Sequence, residues 1–260
     1  MPGPTLRLGH VAGGDLHVET DAEREEYCRL KLEQFGHWDN AQSRGLIETN
    51  ATQWLADTMR RERELPVIAS SNLDTLVADI QEDFVIMHRR PGTSAVQGKA
   101  VYVNVAFPSG WCPQCAPGRS FLALHGPVPV APDFDGPARK TLADLVFPGE
   151  TLVRFVWTLT PDTALDRRRC HRTPASGAAH RSTAFDWRAT RIAHLRVERQ
   201  VFAPIDADTT CFLIRVYRYP VSALEAAQRS KLRTALHSMP NDVRTYKGLA
   251  NDFEHIMSLL

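Results

Sequence analysis

Apolar residues recur at two different spacings along this chain, and the change of spacing separates helical regions from strand regions. Between residues 73 and 87 the apolar positions lie three and four apart, which predicts one long helix with a buried stripe: Leu73, Leu76, Val77, Ile80, Phe84 and Met87. The charged segments 21–35 and 50–64 also favour helix. Residues 1–90 are therefore predicted to form a helical region.

Beyond residue 98 the apolar spacing shortens to two, which is typical of strands with one buried face. Five segments show this spacing: 99–107, 121–125, 151–159, 194–202 and 211–219. Turn-forming residues separate the last two segments and predict an antiparallel hairpin with a long loop. A C-terminal helix follows, with capping-box spacing at Ser222 and Glu225. We expect Pro240 to stop this helix.

This order of elements, helices, then about five strands, then a helix, predicts an α+β fold. We expect a single domain over residues 1–260, with an antiparallel sheet flanked by N-terminal and C-terminal helices. Residues 162–190 have few large apolar side chains and many Arg, Ser and Ala residues. That composition predicts a long, flexible insertion between two strands.

Charge and composition argue against several classes of protein. Lys and Arg number 31 and Asp and Glu number 30, so the net charge is +1, without the basic excess of a nucleic-acid binder. No segment approaches the roughly 18 apolar residues of a membrane span. Residues 1–10 lack the apolar core of a signal peptide, which favours a cytoplasmic protein. Five cysteines without a disulfide framework fit that reducing compartment.

Three side chains in the predicted strands could carry chemistry. His125 ends segment 121–125 on its apolar face, and neutral imidazole is a good ligand for iron or zinc. A hydrogen-bonded core histidine is the alternative. Arg154 and Arg199 each interrupt an apolar strand face. A buried arginine needs an anion, which is either a protein carboxylate such as the pair 82–83 or a propionate or phosphate of a cofactor.

A Cys-x-x-Cys motif, Cys112 to Cys115, lies in a segment rich in Pro and Gly. Zinc sites need four ligands, a set that Cys170 and His171 could complete. A redox Cys-x-x-Cys normally opens a helix after a strand. A plain loop is the third interpretation of this segment.

Several short motifs follow one another in order along the chain. They are Glu-Asp, Pro-Ser-x-Trp, His-x-Pro-Val-Pro, Arg-x-x-Trp and Leu-Arg-x-Glu-Arg-Gln, at residues 82–83, 108–111, 125–129, 154–157 and 195–200. Together they resemble the α-subunit-like family of haem-dependent oxidative N-demethylases. The resemblance covers the chain from about residue 5 to about residue 255.

This resemblance implies a PAS-like haem-binding fold, b-type haem with its iron, activation of O2, and removal of a methyl group from a small secondary amine as formaldehyde. It also implies that electrons arrive through separate flavin or iron–sulfur proteins, which this chain would need as partners. A haem-based sensor and a haem-free scaffold subunit are the alternative interpretations. The oligomeric state stays open.

Carried onto the matching positions, the resemblance assigns five site residues. His125 is the expected axial ligand of the iron. Arg154 and Arg199 are expected to pair with the haem propionates, and Trp157 is expected at the same cofactor site. Glu198 is the expected catalytic residue, either binding the substrate ammonium or delivering a proton.

Three positions depart from the family pattern. Segment 115–118 lacks the usual Lys before its Gly, Val156 replaces an Asn, and Pro-Ile at 204–205 replaces Leu-Pro. All three fall near the expected pocket. The resemblance therefore leaves the substrate and the reaction open, because a shared fold does not fix the chemistry.

Overall fold

The structure, a computed structural model, describes residues 8–10, 17–18, 21–32, 36–39, 41–63, 72–77, 79–125, 144–168 and 185–260. The strands there are β1 (Leu8–His10), β2 (His37–Trp38), β3 (Asp83–His88), β4 (Lys99–Asn104), β5 (Leu152–Thr160), β6 (His194–Pro204) and β7 (Thr209–Pro220). The α-helices are α1 (Arg24–Lys31), α2 (Ala41–Arg63), α3 (Leu73–Leu76), α4 (Phe121–His125), α5 (Ala226–His237), α6 (Asn241–Tyr246) and α7 (Phe253–Ser258).

These strands form one antiparallel sheet in the order β1-β5-β6-β7-β3-β4-β2. The five longer strands make up its centre, and β1 and β2 are short edge strands. The predicted α+β fold, with five main strands and helices at both ends, is confirmed. The hairpin of β6 and β7 is also confirmed. Its loop is short, residues 205–208, because both strands extend into the turn-rich segment.

Two predicted elements are wrong. The long helix predicted over residues 73–87 ends after the single turn of α3, and residues 83–88 form β3 between β4 and β7. A central strand covered on both faces is apolar at nearly every position, so its period of two is hidden and helical spacing fits as well. Segment 121–125 is helix α4. Ser120 caps it, because its Oγ accepts the backbone N–H of Ala123 at 3.2 Å.

The predicted C-terminal helix is confirmed as α5, but its start is one turn later than expected. Residues 221–223 form a 3₁₀ turn, so the predicted capping box at Ser222 is wrong. Helix α5 follows Glu225, whose backbone N–H donates to Gln228 Oε1 at 2.9 Å. The helix ends before Pro240, as expected, and α6 and α7 follow it.

The two faces of the sheet are covered by different parts of the chain. One face, here called the loop face, carries Phe202 and Phe212 and packs against α4 and the loop after β4. The other, here called the helix face, carries Val201 and Leu213 and packs against α2 and α3. Successive side chains of a strand point to opposite faces. Sequence neighbours in β5, β6 or β7 therefore belong to different environments.

Both ends of the predicted insertion at 162–190 pack against the rest of the protein. Leu165 is 5% exposed and Trp187 is 1% exposed, and Trp187 Nε1 donates to the backbone oxygen of Gly248 at 3.0 Å. Residues 169–184 lie outside the described residues, so the flexible insertion and the single domain stay predictions. No helix in the described ranges is long and apolar enough to cross a membrane.

Candidate functional site

A chain of hydrogen bonds between polar side chains crosses the loop face at β5 and β6. The strand register places Arg154 opposite Gln200 and Val156 opposite Glu198. Arg154 Nε donates to Gln200 Oε1 at 2.5 Å, and Gln200 Nε2 donates to Glu198 Oε2 at 2.8 Å. Glu198 and Gln200 share this face because they are two residues apart in one strand.

The loop after β4 extends this chain of hydrogen bonds through Ser109. The Ser109 hydroxyl donates to Glu198 Oε1, and Arg196 Nε donates to Ser109 Oγ at 2.9 Å. Arg196 also donates to the backbone oxygens of Phe107 at 2.7 Å and of Leu165 at 3.0 Å. Each carboxylate oxygen of Glu198 thus receives a donor, and a buried arginine lies at each end of the chain.

Asp83, at the start of β3, fixes the position of this loop. Its carboxylate accepts the backbone N–H of Ala106 at 3.0 Å and of Phe107 at 2.7 Å, just before Ser109. Lys31 Nζ lies 3.9 Å from Asp83 Oδ1, and both side chains are fully buried. The Glu-Asp motif therefore acts on the site indirectly, by holding the backbone of the loop that carries the serine.

The two arginines at the ends of this hydrogen-bonded network are almost fully buried. Arg154 is 5% exposed and Arg196 is 2% exposed. Burial lowers the pKa of Arg154 to about 10, an effect that the charge of Glu198 opposes. Burial also lowers the pKa of Arg196. A group with a pKa of about 10 remains protonated at neutral pH, so Arg154 keeps its charge in the folded protein.

An aromatic wall lies beside Arg154. The rings of Phe202 and Phe212 stack with centroids 4.3 Å apart, and Phe121 of α4 meets both edge-on. The Arg154 guanidinium lies 5.3 Å from the Phe202 centroid and 5.8 Å from that of Phe121. Within the described residues its one hydrogen bond runs from Nε to Gln200, so Nη1 and Nη2 remain for an anion. Aromatic rings beside a guanidinium are the chemical groups that a flat apolar cofactor with carboxylates, as haem is, would require.

His125 is the last residue of α4, the helix that brings Phe121 to the aromatic wall. The predicted strand that would have aimed it into the apolar space is wrong, but the backbone of α4 lies on the loop face. The His125 side chain lies outside the described residues, so its assignment as iron ligand stays a prediction. Among the side chains that the structure describes, no group of three or more His, Cys, Asp or Glu could hold a metal ion.

Arg199 and Trp157 lie on the helix face, behind the sheet. Arg199 Nη1 donates to the backbone oxygen of His17 at 3.3 Å. Of the two carboxylates that the sequence suggested for Arg199, Asp83 faces the other side of the sheet and is not its partner, and Glu82 stays a prediction. The Trp157 ring packs with the C-terminal helices, and its backbone oxygen accepts Lys247 Nζ at 2.6 Å. These two residues are therefore separated from the loop-face network by the thickness of the sheet.

The structure thus brings together two of the site residues named from the sequence, Arg154 and Glu198. It adds three that were not singled out: Ser109, Arg196 and Gln200. All three stand inside the motifs 108–111 and 195–200. The signal for two of them was present, because alternation in β6 puts its polar positions on one face. Contact with Ser109 depends on a loop and left no periodic signal.

Comparison with protein families supplies an independent assignment. The family described as haem-dependent oxidative N-demethylase, alpha subunit-like, matches residues 35–257. The chain belongs to this family. The match runs from just before β2 into α7, so it includes every strand that builds the loop-face network, and it confirms the resemblance carried by the short motifs.

The Cys-x-x-Cys segment lies in the loop that carries Ser109. Cys112 is disulfide-bonded and 6% exposed, whereas Cys115 is an exposed free cysteine. Their Sγ atoms are 3.4 Å apart. A disulfide-bonded sulfur is not a thiolate ligand for zinc, and the redox and plain-loop interpretations stay predictions. Cys170 and His171, the other residues of the zinc hypothesis, lie outside the described residues.

Proposed function

We propose that this protein is a haem-dependent oxidoreductase that acts on a small amine or another small nitrogen compound, with oxidative N-demethylation as its reaction. Membership of the family supports haem-dependent oxidative chemistry. The proposal rests on one observation of the loop face. There Arg154, a buried cation whose Nη1 and Nη2 make no hydrogen bond to the described residues, and Glu198, a hydrogen-bonded carboxylate, lie beside an aromatic wall.

In this proposal the loop face holds a b-type haem. Arg154 would bind a propionate through Nη1 and Nη2, because guanidinium–carboxylate pairs with two hydrogen bonds are strong and directional. His125 would supply the axial imidazole. Phe121, Phe202 and Phe212 would pack on the cofactor and exclude water from it. The bound haem would supply the activation of O2, and the protein groups would orient the substrate.

Glu198 would bind the ammonium group of the substrate. Ser109 and Gln200 donate to its two oxygens and so fix the plane of the carboxylate, and a carboxylate can accept further donors. A protonated amine is a charged donor of that kind. Val156, which stands where the family pattern has Asn, is the cross-strand neighbour of Glu198. We therefore expect a substrate with an apolar group at that position.

Two expected cofactor residues are left out of the proposed site. Arg199 and Trp157 lie behind the sheet, where the C-terminal helices and the N-terminal segment pack. Electrons would come from another protein. The family description, alpha subunit-like, implies a partner subunit. We propose that this partner is a flavin or iron–sulfur electron-transfer protein, and that both act in the cytoplasm.

An absorption spectrum of the purified protein, expressed with a haem precursor, tests the cofactor. We expect a Soret band that shifts when CO is added after dithionite, and formaldehyde release from a panel of small secondary amines under a supplied reductant. A spectrum without a Soret band would overturn the proposal. A CO-responsive haem without turnover of any amine would favour the sensor interpretation instead.

Two arginine-to-glutamine variants test whether the haem binds on the loop face of the sheet. Arg154→Gln is expected to weaken haem binding at least about tenfold, because it removes one partner of a buried charge pair. Arg199→Gln is the matched variant, one strand away on the opposite face, and should retain the wild-type affinity. Equal losses in both would contradict the assignment. His125→Ala is expected to lose the haem or change its spectrum, and circular dichroism checks that each variant folds.

A further inference from the structure

Apart from the loop-face network, three side chains from distant parts of the chain form a second hydrogen-bonded group. His17 precedes α1, Glu62 is the last residue but one of α2, and Thr151 directly precedes β5. His17 Nδ1 lies 2.6 Å from Glu62 Oε1, and His17 Nε2 lies 3.0 Å from Thr151 Oγ1. A hydroxyl, an imidazole and a carboxylate in this order are the groups by which enzymes activate an oxygen nucleophile.

The carboxylate of Glu62 determines which ring nitrogen of His17 carries the proton. Its Oε2 accepts the backbone N–H groups of His17 at 2.8 Å and of Val18 at 3.2 Å. Burial would raise the pKa of Glu62, but its hydrogen bonds lower that pKa to about 2, so the group is ionised at neutral pH. An ionised carboxylate only accepts hydrogen bonds, so Nδ1 is a donor and, in the neutral ring, Nε2 is an acceptor. The Thr151 hydroxyl therefore donates to Nε2, the direction that a general base requires.

The packing around His17 fixes its ring and leaves the hydroxyl within reach of solvent. Trp54 of α2 meets the ring edge-on with centroids 5.7 Å apart, and Arg199 Nη1 donates to the His17 backbone oxygen at 3.3 Å. The His17 side chain is 19% exposed, and Thr151 is partly exposed. A Cβ placed on Gly149 would meet no atom of the described residues within 4 Å. Space is therefore open beside the segment that carries the hydroxyl, and the limited exposure of the ring favours a small substrate.

A second threonine–histidine pair shows what this group adds. His88 Nδ1 lies 3.1 Å from Thr209 Oγ1. Among the side chains that the structure describes, no carboxylate is hydrogen-bonded to the His88 ring, and Thr209 is 3% exposed. A nucleophile needs a base that a third group orients, and it also needs access to the substrate. Of these two pairs, the one at Thr151 has both.

We propose that Thr151, His17 and Glu62 form a nucleophilic site that takes acyl groups from small activated esters. Thr151 Oγ1 attacks the carbonyl carbon while His17 Nε2 takes the hydroxyl proton, and Glu62 stabilises the imidazolium. The bond from Oγ1 to the acyl group forms as the bond to the leaving oxygen breaks, and Nε2 gives the proton to that oxygen. Water then attacks the acyl-threonine with the same base and restores the hydroxyl. No electrons are transferred, and the haem takes no part.

Reaction with p-nitrophenyl acetate tests the proposal. The purified protein is mixed with the ester at neutral pH, p-nitrophenolate release is followed, and samples are quenched in acid to trap the acyl-enzyme. Trypsin releases residues 141–154 as one peptide, and fragment ions that contain only residues 151–154 separate Thr151 from Thr141. We expect the acetyl group on Thr151 and none on Thr209, the internal control.

Variants at Thr151 and His17 separate this site from acetylation of surface lysines. Thr151→Val keeps the shape of threonine without its hydroxyl, and it is expected to slow p-nitrophenolate release at least about tenfold. Thr151→Ser keeps a hydroxyl and should retain the rate. His17→Ala should lose the rate, and added imidazole should restore part of it by replacing the missing base. Equal rates in the wild type and Thr151→Val would overturn the proposal.

Glu62 is a positioning residue in this site and has its own test. Glu62→Gln can still hydrogen-bond to His17, but an amide that donates to Nδ1 holds the wrong tautomer. We therefore expect the rate to fall at least about tenfold while circular dichroism shows a folded protein. Glu62→Asp keeps a carboxylate and should restore part of the rate, and equal losses in the two variants would contradict this role. Haem, O2 and amines do not enter these assays, so failure here is distinct from failure of the proposed enzyme.

Discussion

At the scale of single residues, the site is an arrangement of donors around one carboxylate. Ser109 and Gln200 each donate to Glu198, and Arg196 donates to Ser109 in turn. All three hydrogen bonds are partly buried. A buried donor that loses its acceptor costs about 1–3 kcal/mol. Single substitutions here should therefore have measurable effects on stability, apart from any effect on turnover.

Ser109→Ala is expected to lower the free energy of unfolding by about 1–3 kcal/mol, because it leaves Arg196 Nε and Glu198 Oε1 short of a partner. Urea denaturation measures the change. Ser258→Ala is the control, since that hydroxyl is exposed and donates to the backbone oxygen of His255 at 2.7 Å. The control should change stability by less than about 0.5 kcal/mol. Equal changes in the free energy of unfolding would mean that the hydrogen bonds of Ser109 do not stabilise the fold.

Glu62 ties the N-terminal segment to α2 and gives a pH-dependent prediction. Its Oε1 is hydrogen-bonded to His17 Nδ1 at 2.6 Å. Its Oε2 accepts the backbone N–H groups of His17 at 2.8 Å and of Val18 at 3.2 Å. Burial would raise the pKa of Glu62, but these hydrogen bonds lower it from 4.5 to about 2. The lowered pKa stabilises the fold above pH 4.5, and that contribution is lost as the pH falls toward 2.

Glu62→Gln is expected to lower the free energy of unfolding by about 2 kcal/mol at pH 7. The difference in free energy of unfolding between variant and wild type should become smaller as the pH is lowered from about 4.5 toward 2, since the wild type loses the contribution of Glu62 there. Urea unfolding at several pH values measures it. Exposed Glu254 supplies the control variant Glu254→Gln, which should show no such difference. A difference that does not depend on pH would contradict the assignment.

At the scale of elements, β3 connects the core to the site. Its central position hides its strand period, and its first residue, Asp83, holds the loop after β4 through two backbone N–H groups. The only cation within salt-bridge distance in the described chain is Lys31 of α1. Burial lowers the pKa of Lys31 and raises the pKa of Asp83. The pair therefore depends on both partners being present.

Lys31→Met is expected to lower the free energy of unfolding by about 3–5 kcal/mol, because it leaves the buried Asp83 carboxylate without its cation. The double variant Lys31→Met with Asp83→Asn should recover part of that loss. Denaturant titration of all three proteins measures this coupling. Arg60→Met is the control, since Arg60 and Asp57 form an exposed pair and such pairs contribute less than about 1 kcal/mol. A double variant less stable than the sum of its parts would refute the pairing.

At the scale of the whole molecule, the sheet divides the protein into two environments. The helix face is covered by α2 and α3 with an apolar core. The loop face combines an aromatic wall with the network from Arg154 to Arg196. A cofactor bound on the loop face would contact α4, β5 and β6 together. Its binding should therefore stabilise the fold as a unit.

Haem at a hundredfold excess over its Kd is expected to stabilise the protein by about 2.7 kcal/mol, which raises Tm by roughly 5–10 °C for a chain of this size. Thermal unfolding followed by circular dichroism, with and without haem, measures the shift. Arg154→Gln should show a smaller shift at the same haem concentration. No shift in the wild type would count against a haem site, whatever the enzyme assays show.

Much of this was readable from the sequence. Clear alternation located β5, β6 and β7, and Pro240 marked the end of the C-terminal helix. The short motifs indicated the family, and Arg154 and Glu198 were expected site residues from that resemblance. The helix face and loop face were not readable, because the pattern tells which residues of one strand share a face and not how that strand registers with its neighbours. Segments of consecutive apolar residues, such as 84–87, gave a false period.

The sequence by itself determined the local elements and the chemical groups available, because spacing and residue type act over a few positions. Only the tertiary structure decided that Arg154 meets Glu198 through Gln200, while Arg199 points behind the sheet. It also decided that Ser109 reaches Glu198 across the fold. These contacts depend on strand register and on a loop held by Asp83, and both are set by packing between residues far apart in the chain.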